Sequence, residues 1–161
     1  MKQLQGKVQQ LSLLLVVFFI AIGNAHAQQL PATWQKGMAL TTWQGAGMRQ
    51  QSDWLRIADD SSFEKHSGVD NNHLYRFQFT ATELNDLLAF LKLKHFDKIK
   101  NGPPAVVHDG WSSDITLQWD NNIISINTGA AYEVLPPYKE DLADIFAYVN
   151  KITAEKKTKH R

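Results

Sequence analysis

The feature that most constrains the fold is an order of strand, turn, strand and helix signals that occurs twice along the chain. Ser-Asp pairs at 52–53 and 113–114 each open a predicted strand that ends in an aspartate turn. Segments 83–91 and 141–149 then match in polar and apolar character at nearly every position. An internal repeat and convergence of two amphipathic helices both account for this match. Both explanations predict an α+β fold: one antiparallel sheet of about five or six strands with two helices packed on one face.

The first helix has the clearest boundary in the sequence. Thr80 followed by Glu83 forms a capping box, in which the hydroxyl accepts from the third backbone N–H of the helix. The Glu83 carboxylate accepts in return from the backbone N–H of the cap. Four leucines follow at helical spacing, and the pattern predicts a helix over about 81–94.

Strand signals surround this helix. The run 74–79 alternates and places three aromatic side chains on one face, and the turn at Asp120 indicates a hairpin. Trp54 and Trp119 lie inside strand signals, so we expect both in the core. A second helix is predicted to begin at Pro136. The predicted strands are 38–43, 54–58, 63–66, 74–79, 115–119 and 123–127.

Residues 1–27 are typical of an export signal, with two lysines, an apolar run and a small-x-small site ending at Ala27. The apolar run is about half of the ~20 residues that span a bilayer, so we expect no integral membrane span after cleavage. This pattern predicts a periplasmic or secreted bacterial protein. The remainder divides into an N-terminal leader (28–37), a single α+β domain (38–152) and a basic flexible tail (153–161).

Charge and cysteine content exclude some classes of function. The predicted signal holds two of the 17 basic residues and none of the 16 acidic ones, so the remainder has a formal charge of −1. That balance gives no general attraction for nucleic acid. The chain has no cysteine, which excludes disulfides, thiol catalysis and thiolate metal sites. We expect no cofactor.

Six short segments occur in a characteristic order along the chain: 45–48, 55–60, 79–80, 83–84, 96–99 and 109–117. Together they resemble a group of small exported bacterial proteins that has no assigned activity. The resemblance implies an envelope location and an α+β fold, and it supplies no catalytic residues. The layout is also similar to that of small α+β proteinaceous protease inhibitors, by architecture alone.

A metal site is one candidate for chemistry. His66 and His73 flank a predicted turn that contains Asp70, and a hairpin would bring the two imidazoles together. Two histidines and one carboxylate form a known metal-binding set. The alternative is that all three are exposed polar residues beside a turn.

A hydrolase site is a second candidate. His108, Asp109, Ser112 and Ser113 supply a base, a carboxylate and two hydroxyls within one short loop. Neighbours in sequence rarely point toward one atom, however, and no nucleophile-elbow motif surrounds either serine. The alternative is a turn that leads into the next strand.

Aromatic residues favour binding over catalysis, since the chain has five tryptophans. Trp43 with Met48, and Trp111 with Tyr132, are candidate anchors for a partner or a sugar ring. His108 and Asp109 lie beside Trp111, and we expect the contact surface in loops 45–53 and 102–113. The prediction is a non-catalytic envelope protein that binds a protein or peptide partner, an inhibitor of an exported enzyme being one version. A small hydrolase or a carbohydrate-binding module is the alternative.

Overall fold

The computed structural model describes residues 29–46, 51–104, 110–129 and 131–159. The strands are β1 (Ala39–Ala46), β2 (Gln51–Ala58), β3 (Ser62–Ser67), β4 (Asn72–Phe77), β5 (Trp111–Trp119) and β6 (Asn122–Gly129). The α-helices are α1 (Ala81–Leu93) and α2 (Lys139–Lys159), and short 3₁₀ turns occupy Phe96–Lys98 and Pro136–Tyr138. The strands form one antiparallel sheet in the order β4-β3-β2-β1-β5-β6. The predicted α+β fold is confirmed.

Side-chain alternation gives the sheet two different faces. Leu40 of the central strand β1 lies opposite Ile57 of β2 and Leu117 of β5, and all three are fully buried. The next residue on β1, Thr41, points to the other side, where it lies opposite Arg56. One face therefore carries the core, and the other carries polar and aromatic side chains.

The core joins that apolar face to both helices. Four leucines of α1 are buried at the predicted helical spacing, and α2 contributes Leu142, Ile145 and Val149. These side chains form a single hydrophobic cluster with Leu40 and the neighbouring strand residues. Burial of such side chains stabilises the fold by about 1.5–3 kcal/mol each.

The predicted capping box is confirmed, and it also connects the two helices. Thr80 Oγ1 accepts from the backbone N–H of Glu83 at 3.2 Å, and Glu83 Oε2 accepts from the backbone N–H of Thr80 at 2.7 Å. Glu83 Oε1 also lies 2.6 Å from Lys156 Nζ on α2. The Lys156 hydrogen bond, then the Thr80 backbone N–H, lower the pKa of Glu83 from 4.5 to about 2.

The prediction of a flexible tail from residue 153 is wrong for residues 153–159, because α2 continues to Lys159. Thr153 is buried, and its hydroxyl donates to the Val149 carbonyl at 2.8 Å. Lys157 pairs with Glu64 of β3. These basic side chains find partners on the sheet and on α1, so they hold the last turns of the helix in place. No helix in the described ranges is long and apolar enough to cross a membrane.

The internal repeat remains a prediction. The hairpins β2–β3 and β5–β6 flank β1 on its two sides, which suits a repeat. However, Gln44 of β1 lies opposite Asp53 on one side and Ser113 on the other. The Ser-Asp pairs that match in sequence are therefore one residue out of register. Asp53 and Asp114 point to opposite faces of the sheet.

Candidate binding face

The face of the sheet that points away from the core is the strongest candidate site. We call it the open face. Its centre is a row of directly opposed residues that crosses all six strands, from edge to edge. Strands lie about 4.8 Å apart, so the row spans roughly 24 Å. From β4 to β6 this Trp row consists of Leu74, Lys65, Trp54, Trp43, Asp114 and Asn127.

Two tryptophans form the middle of the Trp row. Trp43 and Trp54 lie opposite each other on β1 and β2, with ring centroids 6.4 Å apart and planes at 65°. Trp54 is 47% exposed, so its predicted core position is wrong, whereas Trp119 is buried as predicted. The Trp43 ring lies over Gly45, where a Cβ atom would approach the ring to 2.5 Å. Glycine at this position lets the Trp43 ring lie close against the strand.

Uncompensated positive charge lies on the β3–β4 side of the tryptophans. Lys65 is opposite Trp54 in the Trp row, and Arg76 is opposite Phe63 in the next row. Neither cation makes an ion pair within the part of the chain that the structure describes. Arg56 differs, because its Nη1 donates to Asp60 Oδ1 and Ser61 Oγ, both at 2.9 Å. Lys65 and Arg76 are therefore available to pair with negatively charged groups of a partner.

The β5–β6 side of the open face is polar. Asp114 lies opposite Trp43 on one side and Asn127 on the other. Burial raises the pKa of Asp114, and a hydrogen bond with Thr116 acts in the opposite direction. Thr116 and Ser125 share a hydrogen bond of 2.8 Å between their hydroxyls. A partly buried acid and hydroxyl groups thus border the aromatic centre, as polar groups border the apolar centre of many interfaces.

The predicted anchors Trp111 and Tyr132 lie away from the Trp row. Trp111 is 48% exposed and lies opposite Ala46, so it projects from the other face of the sheet. Tyr132 follows β6, and its backbone N–H donates to the Gly129 carbonyl at 3.3 Å. Trp43 and Trp111 therefore do not share one flat surface. The predicted binding residues Met48, His108 and Asp109 lie outside the described residues.

The two candidate nucleophiles point in different directions. Ser112 lies opposite Gly45 on the open face, whereas Ser113 lies opposite Gln44 on the face that carries the core. Ser113 is 6% exposed, and its hydroxyl is hydrogen-bonded to that of Thr128. Strand alternation places the two hydroxyls on opposite faces of the sheet, so they cannot both belong to one catalytic site.

The two predicted histidines lie opposite each other on paired strands. His66 of β3 lies directly opposite His73 of β4, as the hairpin prediction required, while Asp70 lies in the turn between the strands. The carboxylate beside His66 is instead Asp53 of β2, which bonds His66 Nδ1. Among the residues that the structure describes, no group of three or more potential ligands is placed to hold a metal ion.

A groove of about 310 Å³ lies between α2 and the strands on the core side of the sheet. Its acidic lining residues already have partners, since Asp53 pairs with His66 and Glu64 pairs with Lys157. The acidic side chains of this groove are therefore already engaged within the chain. The open face differs, because Lys65 and Arg76 have no acidic partner within the described residues.

Trp54, Lys65, Leu74 and Arg76 are among the residues of this site that the sequence prediction did not select. Leu74 and Arg76 already alternate with aromatic residues in the sequence, which places them on the face opposite those rings. The pairing partners Lys65 and Trp54 follow only from the register of β2, β3 and β4. The chain matches no protein-family model and no curated protein, so the open face is interpreted from its geometry alone.

Proposed function

We propose that this chain is an exported, non-catalytic protein that binds a protein or peptide partner through the open face. The observation that carries the proposal is the Trp43–Trp54 pair on the two central strands, in which Trp54 is exposed and Trp43 is partly exposed. Tryptophan is strongly enriched among residues that dominate interface energies. Here both rings sit near the middle of a broad face, with polar groups around them. An inhibitor of an exported enzyme is one version of this function.

The charge on the open face favours an acidic partner. Lys65 and Arg76 lie beside the aromatic centre without counter-charges in the described part of the chain. Carboxylates of a partner would neutralise them where the apolar contact excludes water. Such pairs raise the association rate and specificity, and their effect weakens as salt increases.

A carbohydrate ligand is supported less well by the same geometry. The two indole planes meet at 65°, so they do not form one continuous platform for stacked sugar rings. A titration of intrinsic tryptophan fluorescence across a glycan panel separates the two cases. Saturable quenching by a glycan would favour the carbohydrate-binding alternative, and flat titrations would remove it.

The experiment that tests the proposal has two steps. The tagged full chain is used to isolate co-eluting proteins from its own host, and the dissociation constant of the stoichiometric partner is then measured. Lys65→Glu is expected to weaken binding about tenfold, because it places a carboxylate against an acidic surface. Lys98→Glu is the matched control, since Lys98 is exposed on a 3₁₀ turn outside the sheet.

Three results would contradict the proposal. One is a chain that elutes without any stoichiometric partner. Another is a partner whose affinity responds equally to Lys65→Glu and Lys98→Glu, because the open face would then play no special role. The third is a measured turnover that disappears in His108→Ala, which would establish the hydrolase alternative instead.

A further inference from the structure

The two edges of the sheet differ in how far their outward-facing backbone groups are hydrogen-bonded. At the β6 edge, the Asn101 side chain takes the place of a neighbouring strand. Its amide donates to the Asn127 carbonyl, and its Oδ1 accepts from the Asn127 N–H at 3.0 Å. Tyr132 adds a backbone bond to Gly129 further along the same edge. Backbone groups on this edge are thus partly satisfied by the chain itself.

The β4 edge is open in comparison. The first five residues of β4 are exposed. No residue in the described ranges makes a backbone hydrogen bond to its outer side. The strand contains no proline and no acidic residue, and it exposes Leu74 and Tyr75. Natural proteins usually protect such an edge, because unpaired N–H and C=O groups pair readily with another strand.

β4 is nevertheless held in strand geometry from the core side. Lys157 of α2 lies over the Tyr75 ring, 5.4 Å from its centroid, and pairs with Glu64, which is opposite Tyr75 on β3. The edge is therefore preorganised before any partner arrives. Preorganisation reduces the ordering entropy that binding must overcome.

Building on the proposed function, we propose that the partner contributes an extended acidic segment that pairs with β4 as an added strand. Residues opposite each other on neighbouring strands point to the same face, with Cβ atoms about 5 Å apart. The added strand would place a carboxylate beside Arg76 and, two residues away, an apolar side chain beside Leu74. Backbone pairing supplies affinity, and these two side chains supply specificity.

A second copy of this chain fits the same edge less well. In a two-fold antiparallel pairing centred on Leu74, with both open faces on one side, Leu74 would face its own copy and Arg76 would face Asn72. Arg76 and Lys65 of both copies would then share the surface without any counter-charge. Self-pairing would supply no carboxylate to either cation, whereas an acidic segment would neutralise Arg76, so charge favours an acidic segment over self-association.

The test uses synthetic peptides and the full chain. The parent peptide has seven residues in extended-favouring sequence, blocked ends, and glutamate and leucine two positions apart. In one derivative, N-methyl groups replace the amide hydrogens on the side that faces β4; in its matched control they lie on the other side. We expect the first derivative to bind at least tenfold more weakly than the parent, and the control to stay within about twofold.

Arg76→Glu tests the side-chain part of the proposal. This substitution is expected to weaken binding of the glutamate peptide about fivefold. It should strengthen binding of a peptide with lysine in place of glutamate by a similar factor. Hydrogen exchange provides a second readout, with added protection on binding expected at amides of residues 72–77. Protection confined to other strands would contradict strand addition at β4.

Three further outcomes would overturn this inference. They are no peptide binding at about 1 mM, equal affinity of the two N-methylated derivatives, or concentration-dependent self-association that Leu74→Lys abolishes. The proposed function would survive each of them if the captured partner still depended on Lys65. It would fail separately if Lys65→Glu left that partner's affinity unchanged.

Discussion

The two faces of the sheet come from the same six strands and differ in almost every physical property. On the core face, Leu40, Ile57 and Leu117 meet across three strands and are fully buried. Three residues further along β1, the open face presents the Trp row, with partly exposed tryptophans and with Lys65, which is unpaired within the described part of the chain. Because successive side chains alternate, the strands can fix the fold with one set of residues and present a second set to a partner. Substitutions should separate these two roles.

The largest difference in stability is expected between substitutions at two adjacent residues of β5. Leu117→Ala empties space in the core, and we expect it to lower the free energy of unfolding by about 3 kcal/mol. Thr116→Ala removes a hydroxyl that bonds Ser125 on the open face, and a loss below about 1 kcal/mol is expected. Chemical denaturation of both variants measures the difference. Equal losses would contradict the assignment of the two faces.

Glu83→Gln tests how far charge stabilises the core side. Glutamine retains the capping geometry but loses the ion pair with Lys156, so we expect a loss of about 1 kcal/mol at neutral pH. The folded-state pKa of Glu83 is lowered from 4.5 to about 2. The carboxylate therefore stabilises the fold fully above pH 4.5, and this contribution is lost as pH falls toward 2.

Unfolding measured at several pH values between these limits tests that linkage. The wild-type chain should lose more stability than Glu83→Gln as pH falls. Lys156→Met is the matched variant, since it removes the other half of the pair. Parallel pH profiles for wild type and Glu83→Gln would show that this ion pair contributes nothing.

Asn101→Ala extends the comparison to the edges of the sheet. It removes the side chain that pairs with the Asn127 backbone, and we expect a loss of about 1 kcal/mol. The Asn127 amide should then exchange with solvent at a rate closer to that of amides on the outer side of β4. An unchanged exchange rate at Asn127 would mean that Asn101 does not protect this edge.

The smallest effect on stability is expected at Asp114, where substitution should stabilise the chain rather than destabilise it. Burial raises the pKa of Asp114 from its ordinary value of 3.8, so the charged form is disfavoured in the folded state. Its contribution to stability therefore falls as pH rises from 3.8 through the raised pKa. Asp114→Asn should stabilise the chain at neutral pH by roughly 0.3 kcal/mol after solvent screening. Destabilisation in a thermal melt would contradict this.

Local signals were sufficient to predict much of the fold. The capping box at Thr80 located the start of α1, and leucine spacing identified its buried face. The turn at Asp120 and the flanking alternation predicted the hairpin of β5 and β6. In each of these cases the residues that determine the structure are close together in sequence.

The errors came from contacts between distant segments. Trp54 looks like a core residue because it sits in an apolar strand, but its burial depends on which face the helices cover. The end of α2 looks like a solvated basic tail, yet Lys156 and Lys157 find partners on α1 and β3. The Trp row likewise can be recognised only once the register of the six strands is known. The residue pattern within a single segment does not determine this register.

The most direct test of the open face compares two tryptophans of nearly equal exposure. Trp54, at 47%, lies in the Trp row, and Trp111, at 48%, projects from the other face of the sheet. The dissociation constant of the captured partner is measured for Trp54→Ala and for Trp111→Ala. We predict at least a tenfold loss of affinity for Trp54→Ala and a change within about twofold for Trp111→Ala. The reverse order would place the binding surface around Trp111 and contradict the open face as the site.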